Sequence, residues 1–312
     1  MKRTRIGIFG HYGNKNLGDE AIIAAAIENL RALVPDVALE GLSINPFDTH
    51  ERYNIDSFPI RYRRDYFDAL SANGGQLPMT DALRVERPKS AKSSSASTVS
   101  DQPKGLVAKI KSIWGIRQAF LLLWHSRQLV KNVLSEISFL KKCKERLKNM
   151  DMLIVCGSNQ FLDNFGGAWG FPYTLLKWTY LAKSTQTKVA FVSVGAGPLT
   201  GSLSYWMLKQ ALKRADYVSY RDEGSKKMIE GRIKGIDGPV YPDVAHSLRL
   251  EPGEKSAQNA KSESLGRLVA INPMPVFDSR YWYAGDDSRY DEYVQSVANF
   301  VEHAAKAGNR VA

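Results

Sequence analysis

The chain has 312 residues, of which 44% are hydrophobic and 24% charged, proportions typical of a globular protein that buries a core. Lysine and arginine outnumber aspartate and glutamate by 43 to 32, and the net charge of +11 favours anionic partners. The excess is local, because residues 105–150 hold ten basic residues and only two acidic ones. A nucleic-acid interface over the whole chain is therefore excluded, and we predict no nucleic-acid partner.

Cysteines and apolar runs indicate the compartment. The two cysteines, Cys143 and Cys156, lie in different predicted elements and provide neither a disulfide framework nor metal-ligand spacing. The apolar run near the N-terminus covers only Ile6–Phe9, which is too short for a secretory signal. The most apolar window, Ala119–Trp124, is too short to span a bilayer. We predict a soluble cytoplasmic protein without a metal site.

The first predicted elements alternate strand and helix. Arg5–Phe9 predicts a short buried strand, and helical periodicity follows over Asp19–Val34 until Pro35. Val37–Ser43 predicts a second strand, and Ser57–Tyr62 predicts a weaker third strand.

Composition changes sharply in the middle of the chain. Residues 86–104 are mostly Ser, Lys, Ala and Pro, which predicts a flexible insertion. The basic stretch Leu106–Leu147 predicts one or two helices. If their basic face is amphipathic it can contact anionic lipid at the cytoplasmic membrane face; the alternative is an ordinary solvated helix face.

Alternation resumes at Met152. The predicted strands are Met152–Cys156, Lys188–Val194 and Tyr217–Tyr220, and the predicted helices are Pro172–Lys183, Ser202–Arg214 and Gly224–Glu230. This order predicts the α/β class, with a Rossmann-like, doubly wound parallel sheet covered by helices on both faces.

A polar segment, Arg249–Leu265, predicts a connection between domains. Beyond it the pattern gives one strand, Leu268–Asn272, one helix, Arg289–Lys306, and the opening of a further strand, too little for an independent doubly wound domain. We expect a Rossmann-like domain over 1–248, with the insertion 86–104 and a basic helical segment 105–149. We expect a linker over 249–266 to follow, and then the start of a truncated second Rossmann-like domain over 267–312.

A glycine-rich loop joins the first strand to the first helix, at the carboxyl end of a strand, where open α/β sheets bind ligands. Its marked residues are Gly10, Tyr12, Gly13, Asn14, Asn16, Gly18, Asp19 and Glu20. The spacing fits neither the dinucleotide fingerprint nor the P-loop. One interpretation is a tight turn with Asp19 as the helix cap. The other is a ligand loop for hydroxyls, because Asp19 and Glu20 would repel an anion at the helix start.

Two further predicted strands end in small or polar residues. Ser158 and Asn159 follow Met152–Cys156 and offer hydrogen bonds to a sugar or carboxylate. Gly195 and Gly197 follow the next strand and permit close approach of a ligand. Each segment is also compatible with a simple strand-to-loop transition, but the carboxyl ends of parallel strands meet at one edge of a sheet.

Arg221 ends the strand Tyr217–Tyr220, where its guanidinium can hold a carboxylate or phosphate through two hydrogen bonds. The alternative is a surface ion pair with Asp222 or Glu223. His246 titrates in the range that proton transfer requires, although a single histidine is more often structural.

Taken in order, these motifs resemble the polysaccharide pyruvyl transferase family. The matching residues are Gly10-x-Tyr12-Gly13-x-x-Asn16-x-Gly18-Asp19-Glu20-Ala21, the segment Asp151–Asp163, Gly195-x-Gly197-Pro198, Arg221-Asp222-x-x-Ser225 and Pro242-Asp243. The resemblance covers roughly residues 5–45 and 150–280. It implies transfer of pyruvate from phosphoenolpyruvate, the co-substrate, to hydroxyls of a cell-surface polysaccharide or its lipid-linked precursor, with no cofactor. It also implies two Rossmann-like domains in a glycosyltransferase-like (GT-B-like) arrangement.

The resemblance also implies residue roles. Arg221 is the best candidate to hold the donor, with Ser158, Asn159, Gly195 and Gly197 around it. Family members draw further cationic and histidine residues from the second domain, in a segment that would follow Ala312, so the catalytic acid and base are expected there. Cys156 departs from the pattern, in which glycine is common. The rival readings are a nucleotide-sugar glycosyltransferase of the same architecture and a non-catalytic carbohydrate-binding relative.

Overall fold

The computed structural model describes residues 3–75, 77, 132–249, 267–279 and 285–312. A seven-stranded sheet in which every paired neighbour is parallel organises the larger part. Its strands are β1 (Arg5–Phe9), β2 (Ala38–Ser43), β3 (Asp56–Pro59), β4 (Met152–Cys156), β5 (Asn159–Phe161), β6 (Lys188–Ala196) and β7 (Tyr217–Tyr220).

The strand order identifies where a ligand is expected. The order runs β3-β2-β1-β4-β6, β7 pairs with β6, and the short β5 pairs with the end of β6. In register, Ile6 of β1 lies opposite Leu39 of β2 on one side and Met152 of β4 on the other. The chain winds outward from β1 in one direction and then from β4 in the other. This is the Rossmann arrangement, and its crevice opens between the carboxyl ends of β1 and β4. The predicted α/β, Rossmann-like class is confirmed.

Helices connect the strands within the described residues. They are α1 (Leu17–Leu33), α2 (Pro46–Tyr53), α3 (Arg64–Ala72), α4 (132–148), α5 (Phe171–Ser184), α6 (Ser202–Leu212) and α7 (Glu223–Glu230). The helices predicted in this part of the chain are present, with ends shifted by a few residues. The sequence did not predict α2, α3 or β5, which are short, and the predicted strand Ser57–Tyr62 is shorter and ends at Pro59.

Alternate residues of the central strand face opposite layers. Ile8 packs with Ile23 and Ile27 of α1 in one buried cluster. Phe9 belongs to the larger cluster on the other face, with Trp178 of α5. Because strand side chains alternate, the sheet is buried on both faces, and only its edges and strand ends can bind a ligand.

Helix α4 belongs to this larger core. Phe139, Cys143 and Leu147 recur every four residues, and each is fully buried. Part of its basic face is engaged inside the molecule, since Arg146 Nη1 lies 3.2 Å from Glu40 Oε1. The predicted insertion 86–104 and residues 106–131 of the basic stretch lie outside the described residues, so the lipid contact stays a prediction.

The C-terminal residues form a smaller unit that we describe by itself. Strands β8 (Leu268–Val269) and β9 (Arg310–Val311) pair in parallel, and α8 (Asp287–Lys306) connects them. The predicted helix is confirmed, whereas the predicted strand Leu268–Asn272 has only two residues. Across the described segments, we find no helix with the length and apolar character that crossing a membrane requires.

Candidate functional site

The sequence motifs meet at the C-terminal edge of the sheet, which we define as the edge where the parallel strands end. The loop after β1, the turn after β4 and Arg221 after β7 all lie there. Two of them, the loop and the turn, flank the crevice between β1 and β4. The edge is therefore the candidate active site.

The loop after β1 is held by its own side chains. Glu20 Oε1 accepts a hydrogen bond of 2.8 Å from the backbone N–H of Gly13, and its Oε2 accepts one of 2.8 Å from the hydroxyl of Tyr53. Gly13 has φ +85°, and a Cβ there would lie 2.4 Å from the carbonyl oxygen of Asn45. The N–H of Gly10 donates to Leu42. These glycine N–H groups are occupied, so they cannot form a phosphate cradle.

The first helix is capped by a residue other than the one predicted. Asn16 is the N-cap, its Oδ1 accepts from the N–H of Gly18 at 3.1 Å, and the helix begins at Leu17. The prediction of Asp19 as the cap is wrong, because Asp19 lies inside the first turn. Asn14, Asn16 and Gly18 are exposed, whereas Asp19 is buried. Asp19 is therefore free for another role.

A strained turn after β4 brings Ser158 to Asp19. Gly157 and Ser158 both have left-handed backbone, with φ of 55° and 58°. A Cβ on Gly157 would lie 2.7 Å from Ile22, so glycine is required there on two counts. The turn lets the Ser158 hydroxyl hydrogen-bond the carboxyl of Asp19. A positive φ at a serine costs energy, and such strain clusters at functional sites.

The surroundings of Asp19 favour its protonated form. Burial is the largest cause of its raised pKa; the hydrogen bond from Ser158 opposes the rise, and the negative charges of Glu20 and Asp243 add to it. Beneath these carboxyls the fully buried Tyr12 donates a hydrogen bond of 2.9 Å to the carbonyl oxygen of Cys156. Burial raises the pKa of the Cys156 thiol to about 12, so this cysteine stays a neutral thiol.

Arg221 makes contacts on three sides. Its Nη2 donates to Asn159 Oδ1 at 2.7 Å, its Nη1 lies 3.4 Å from Asp243 Oδ2, and its Nε lies 3.6 Å from Asp222 Oδ2. The expected alternative of an ion pair with Asp222 is thus partly present, but the shorter contacts reach across the sheet edge. About 30% of the Arg221 side chain remains exposed, which leaves room for an anion.

The glycines at the end of β6 contribute space rather than donors. The N–H groups of Gly195 and Gly197 donate to the backbone carbonyls of Ser158 and Phe161. A Cβ on Gly195 would lie 2.1 Å from Asn159 Oδ1 and 3.0 Å from Arg221 Nη2. Gly195 therefore permits the contact between these two side chains.

Asp243 and His246 follow β7 on a short 3-10 turn, Val244–Ser247, that packs against α1. Asp243 caps this turn, with Oδ1 accepting from the N–H of Ala245, while its other carboxyl oxygen faces Arg221. His246 is exposed, and its proposed proton-transfer role stays a prediction.

Sequence reasoning missed three residues at this edge. Asp243 was noted only within a Pro-Asp pair, although its charge acts on Tyr12, Asp19 and Cys156. The other two are His11, within the glycine-rich loop, and Arg61, just beyond β3. His11 follows a predicted strand, which was an available signal, whereas Arg61 fell inside the predicted strand Ser57–Tyr62 and follows β3 only in the structure. Their convergence on one helix follows from the strand order.

The edge thus combines a partly exposed guanidinium, an amide, a hydroxyl and a buried carboxyl with raised pKa. Such a set binds an anion and can supply a proton. Within the described residues, no group of three His, Cys, Asp or Glu side chains is arranged to hold a metal ion.

Comparison with curated proteins found no match. A family model described as polysaccharide pyruvyl transferase matches residues 16–307, a range that includes the turn after β4, Gly195, Arg221 and Asp243. The match covers nearly the whole chain, which therefore belongs to the polysaccharide pyruvyl transferase family.

Proposed function

We propose that this protein transfers pyruvate from phosphoenolpyruvate to two hydroxyls of a saccharide, forming a cyclic ketal. Family membership supports a transferase acting on a polysaccharide or its precursor. The observation that carries the choice of donor is Arg221, a partly exposed guanidinium after β7 that hydrogen-bonds Asn159, next to the turn that flanks the crevice. We propose that the enzyme is cytoplasmic and that its acceptor is a lipid-linked saccharide at the membrane face. The basic stretch 106–147 supports this acceptor because basic residues favour contact with anionic lipid.

The reaction requires a proton to enter and phosphate to leave. The methylene carbon of phosphoenolpyruvate takes up a proton, the two saccharide hydroxyls form C–O bonds to the adjacent carbon, and the C–O bond to phosphate breaks. One hydroxyl proton balances the proton taken up by the methylene, and the other leaves with the phosphate. The site must therefore bind a carboxylate and a phosphate and provide an acid.

In this proposal Arg221 binds the donor. Asn159 fixes Nη2, which orients the guanidinium plane, and the positive charge of Arg221 is shared between Asp243 and the incoming anion. A planar guanidinium suits carboxylate and phosphate because it presents paired N–H donors.

Asp19 is the described group best suited to supply a proton. Burial raises its pKa, so it retains a proton more readily than an exposed aspartate does. In this proposal the Ser158 hydroxyl, which hydrogen-bonds this carboxyl, relays the proton. Further acid or base groups from a second domain remain part of the expectation.

The test measures phosphate release from phosphoenolpyruvate with and without saccharide acceptors. We expect release only when an acceptor is present, and an Arg221→Gln variant that binds phosphoenolpyruvate at least tenfold more weakly. The matched control is Arg249→Gln, because Arg249 is 85% exposed and pairs with Glu28 away from Arg221. Normal donor binding by Arg221→Gln would refute the assigned role. Consumption of a nucleotide sugar without dependence on phosphoenolpyruvate would refute the function.

A further inference from the structure

Two residues from different strand ends converge on the start of α5. The ring of His11, in the loop after β1, lies 5.0 Å from the ring of Phe171. Arg61, beyond β3, donates from Nε to Thr174 Oγ1 at 3.2 Å. Phe171 and Thr174 are three residues apart in one helix, so they lie on the same face. The imidazole and the guanidinium are therefore close neighbours.

Arg61 lacks the acidic partners that Arg221 has. In the described part of the chain, no carboxylate oxygen lies within 4.0 Å of its side-chain nitrogens. Thr174 is 1% exposed and donates its own hydroxyl to the carbonyl of Gly170, so it anchors Nε firmly. The two terminal nitrogens remain for a ligand, and the residue still reaches solvent. A fixed cation without a counter-charge is a position that attracts an anion.

His11 adds a neutral donor. The side-chain amide nitrogen of Asn14 lies 3.4 Å from Nδ1 of His11, and either neutral tautomer of the ring carries one N–H. Burial and then the charge of Arg61 lower the pKa of His11 to about 4, so the ring is neutral at pH 7. It therefore offers one N–H without competing with Arg61 as a cation.

We propose that Arg61 and His11 form a second oxyanion-binding position, for a phosphate or carboxylate group, at the C-terminal edge of the sheet. It is distinct from the Arg221 position, since Arg61 and His11 contact α5 whereas Arg221 contacts Asn159 and Asp243. Identifying this anion as one of the two charged groups of phosphoenolpyruvate rests on the proposed function. The binding position itself does not.

The experiment titrates inorganic phosphate, and separately phosphoenolpyruvate, into the 312-residue chain carrying Arg221→Gln, so that Arg221 makes no contribution. We expect residual phosphate binding that weakens at least tenfold when Arg61→Gln is added. Arg64→Gln is the matched control, because the Arg64 side chain is 86% exposed and forms a surface ion pair with Asp68, with Nε 3.9 Å from Oδ2. Circular dichroism and the unfolding midpoint show whether each variant is folded.

A second readout follows the ring signals of His11 by NMR, assigned with a His11→Gln variant. Phosphate should shift these signals in the Arg221→Gln protein and leave them unchanged once Arg61→Gln is added. Equal phosphate binding with and without Arg61, or binding that leaves His11 unshifted, would overturn the proposal. If phosphate binding depends on Arg61 but the protein does not turn over phosphoenolpyruvate, this binding position is retained and the proposed function is refuted. If Arg61→Gln changes neither the turnover of phosphoenolpyruvate nor the binding of phosphate, the proposed function is retained and this binding position is refuted.

Discussion

Nη2 of Arg221 lies 2.7 Å from Oδ1 of Asn159. This hydrogen bond joins two residues that are 62 positions apart, one directly after β7 and the other at the start of β5. Gly195 makes the contact possible, because a Cβ there would lie 2.1 Å from that oxygen. The orientation of the guanidinium thus depends on a residue that carries no side chain.

Gly195→Ala should weaken phosphoenolpyruvate binding about tenfold, equivalent to about 1.4 kcal/mol, because Asn159 must rotate away from Arg221. The displaced atom ends a rotatable side chain, so the free energy of unfolding should change by less than about 1 kcal/mol. Calorimetric titration and urea unfolding measure the two quantities. Asn159→Ala removes the same hydrogen bond without a clash and should weaken binding similarly. Normal binding by both variants contradicts the dependence on this contact.

Tyr12→Phe should lower the free energy of unfolding by about 1–2 kcal/mol, because the buried carbonyl of Cys156 loses its 2.9 Å hydrogen bond. A longer bond of 3.4 Å from Gln160 remains and limits the loss. Urea unfolding followed by tryptophan fluorescence measures the change. Tyr217→Phe is the control, since Tyr217 is 41% exposed and should change stability by less than about 0.5 kcal/mol. Equal effects of the two changes would contradict the role of the Tyr12 hydroxyl.

Asp163→Asn should reveal a pH-dependent contribution to stability. Burial alone would raise the pKa of Asp163, but hydrogen bonds from the N–H groups of Gly201 and Thr200 outweigh it and hold the pKa below its ordinary value of 3.8. Since the folded-state pKa is depressed, the ionised carboxylate stabilises the fold above pH 3.8, and this stabilisation is lost as pH falls through the depressed value.

The variant should therefore be less stable than the wild type at pH 7, by about 1–3 kcal/mol. The difference should shrink progressively below pH 4. Parallel unfolding curves at several pH values isolate Asp163, because the other carboxylates contribute equally to both proteins. A difference that does not depend on pH would contradict the assignment.

Asp19→Asn should have the opposite pH dependence. Because burial raises the pKa of Asp19, stability from its protonated form is present below the ordinary value of 3.8 and is lost as pH rises through the raised value. The asparagine variant stays neutral, so its stability relative to the wild type should increase between pH 4 and pH 8. Its phosphate release from phosphoenolpyruvate should fall at least tenfold. A relative stability that decreases over this range would contradict the raised pKa.

The central strands could be predicted from sequence because their apolar runs are unambiguous. Arg5–Phe9 and Met152–Cys156 are each preceded by a polar residue and followed by a glycine, and they appear with these same ends in the structure. Helix α3 was missed because Tyr66 is the one residue of this helix that is buried, and a single buried residue gives no periodic pattern. The division into two domains remains a prediction.

The candidate site could be predicted only in outline. Ser158, Asn159, Gly195 and Arg221 follow predicted strands, and parallel pairing brings them to one edge. The approach of His11 and Arg61 to α5 depends on the strand order, which no local pattern contains. The glycines were expected to let a ligand approach closely. In the structure the N–H groups of Gly195 and Gly197 already donate to backbone carbonyls, and these pairings depend on tertiary contacts that the sequence pattern does not contain.

The pairing of β1 with β4 has a thermodynamic consequence. It joins two distant parts of the chain, and the crevice between their ends exists only once this pairing has formed. A ligand bound there recognises the folded sheet and not the unfolded chain, so it raises the midpoint of global unfolding. At a ligand concentration one hundred times the dissociation constant, the gain is about 2.7 kcal/mol. Thermal stability thus reports occupancy of this crevice even where no turnover is measured.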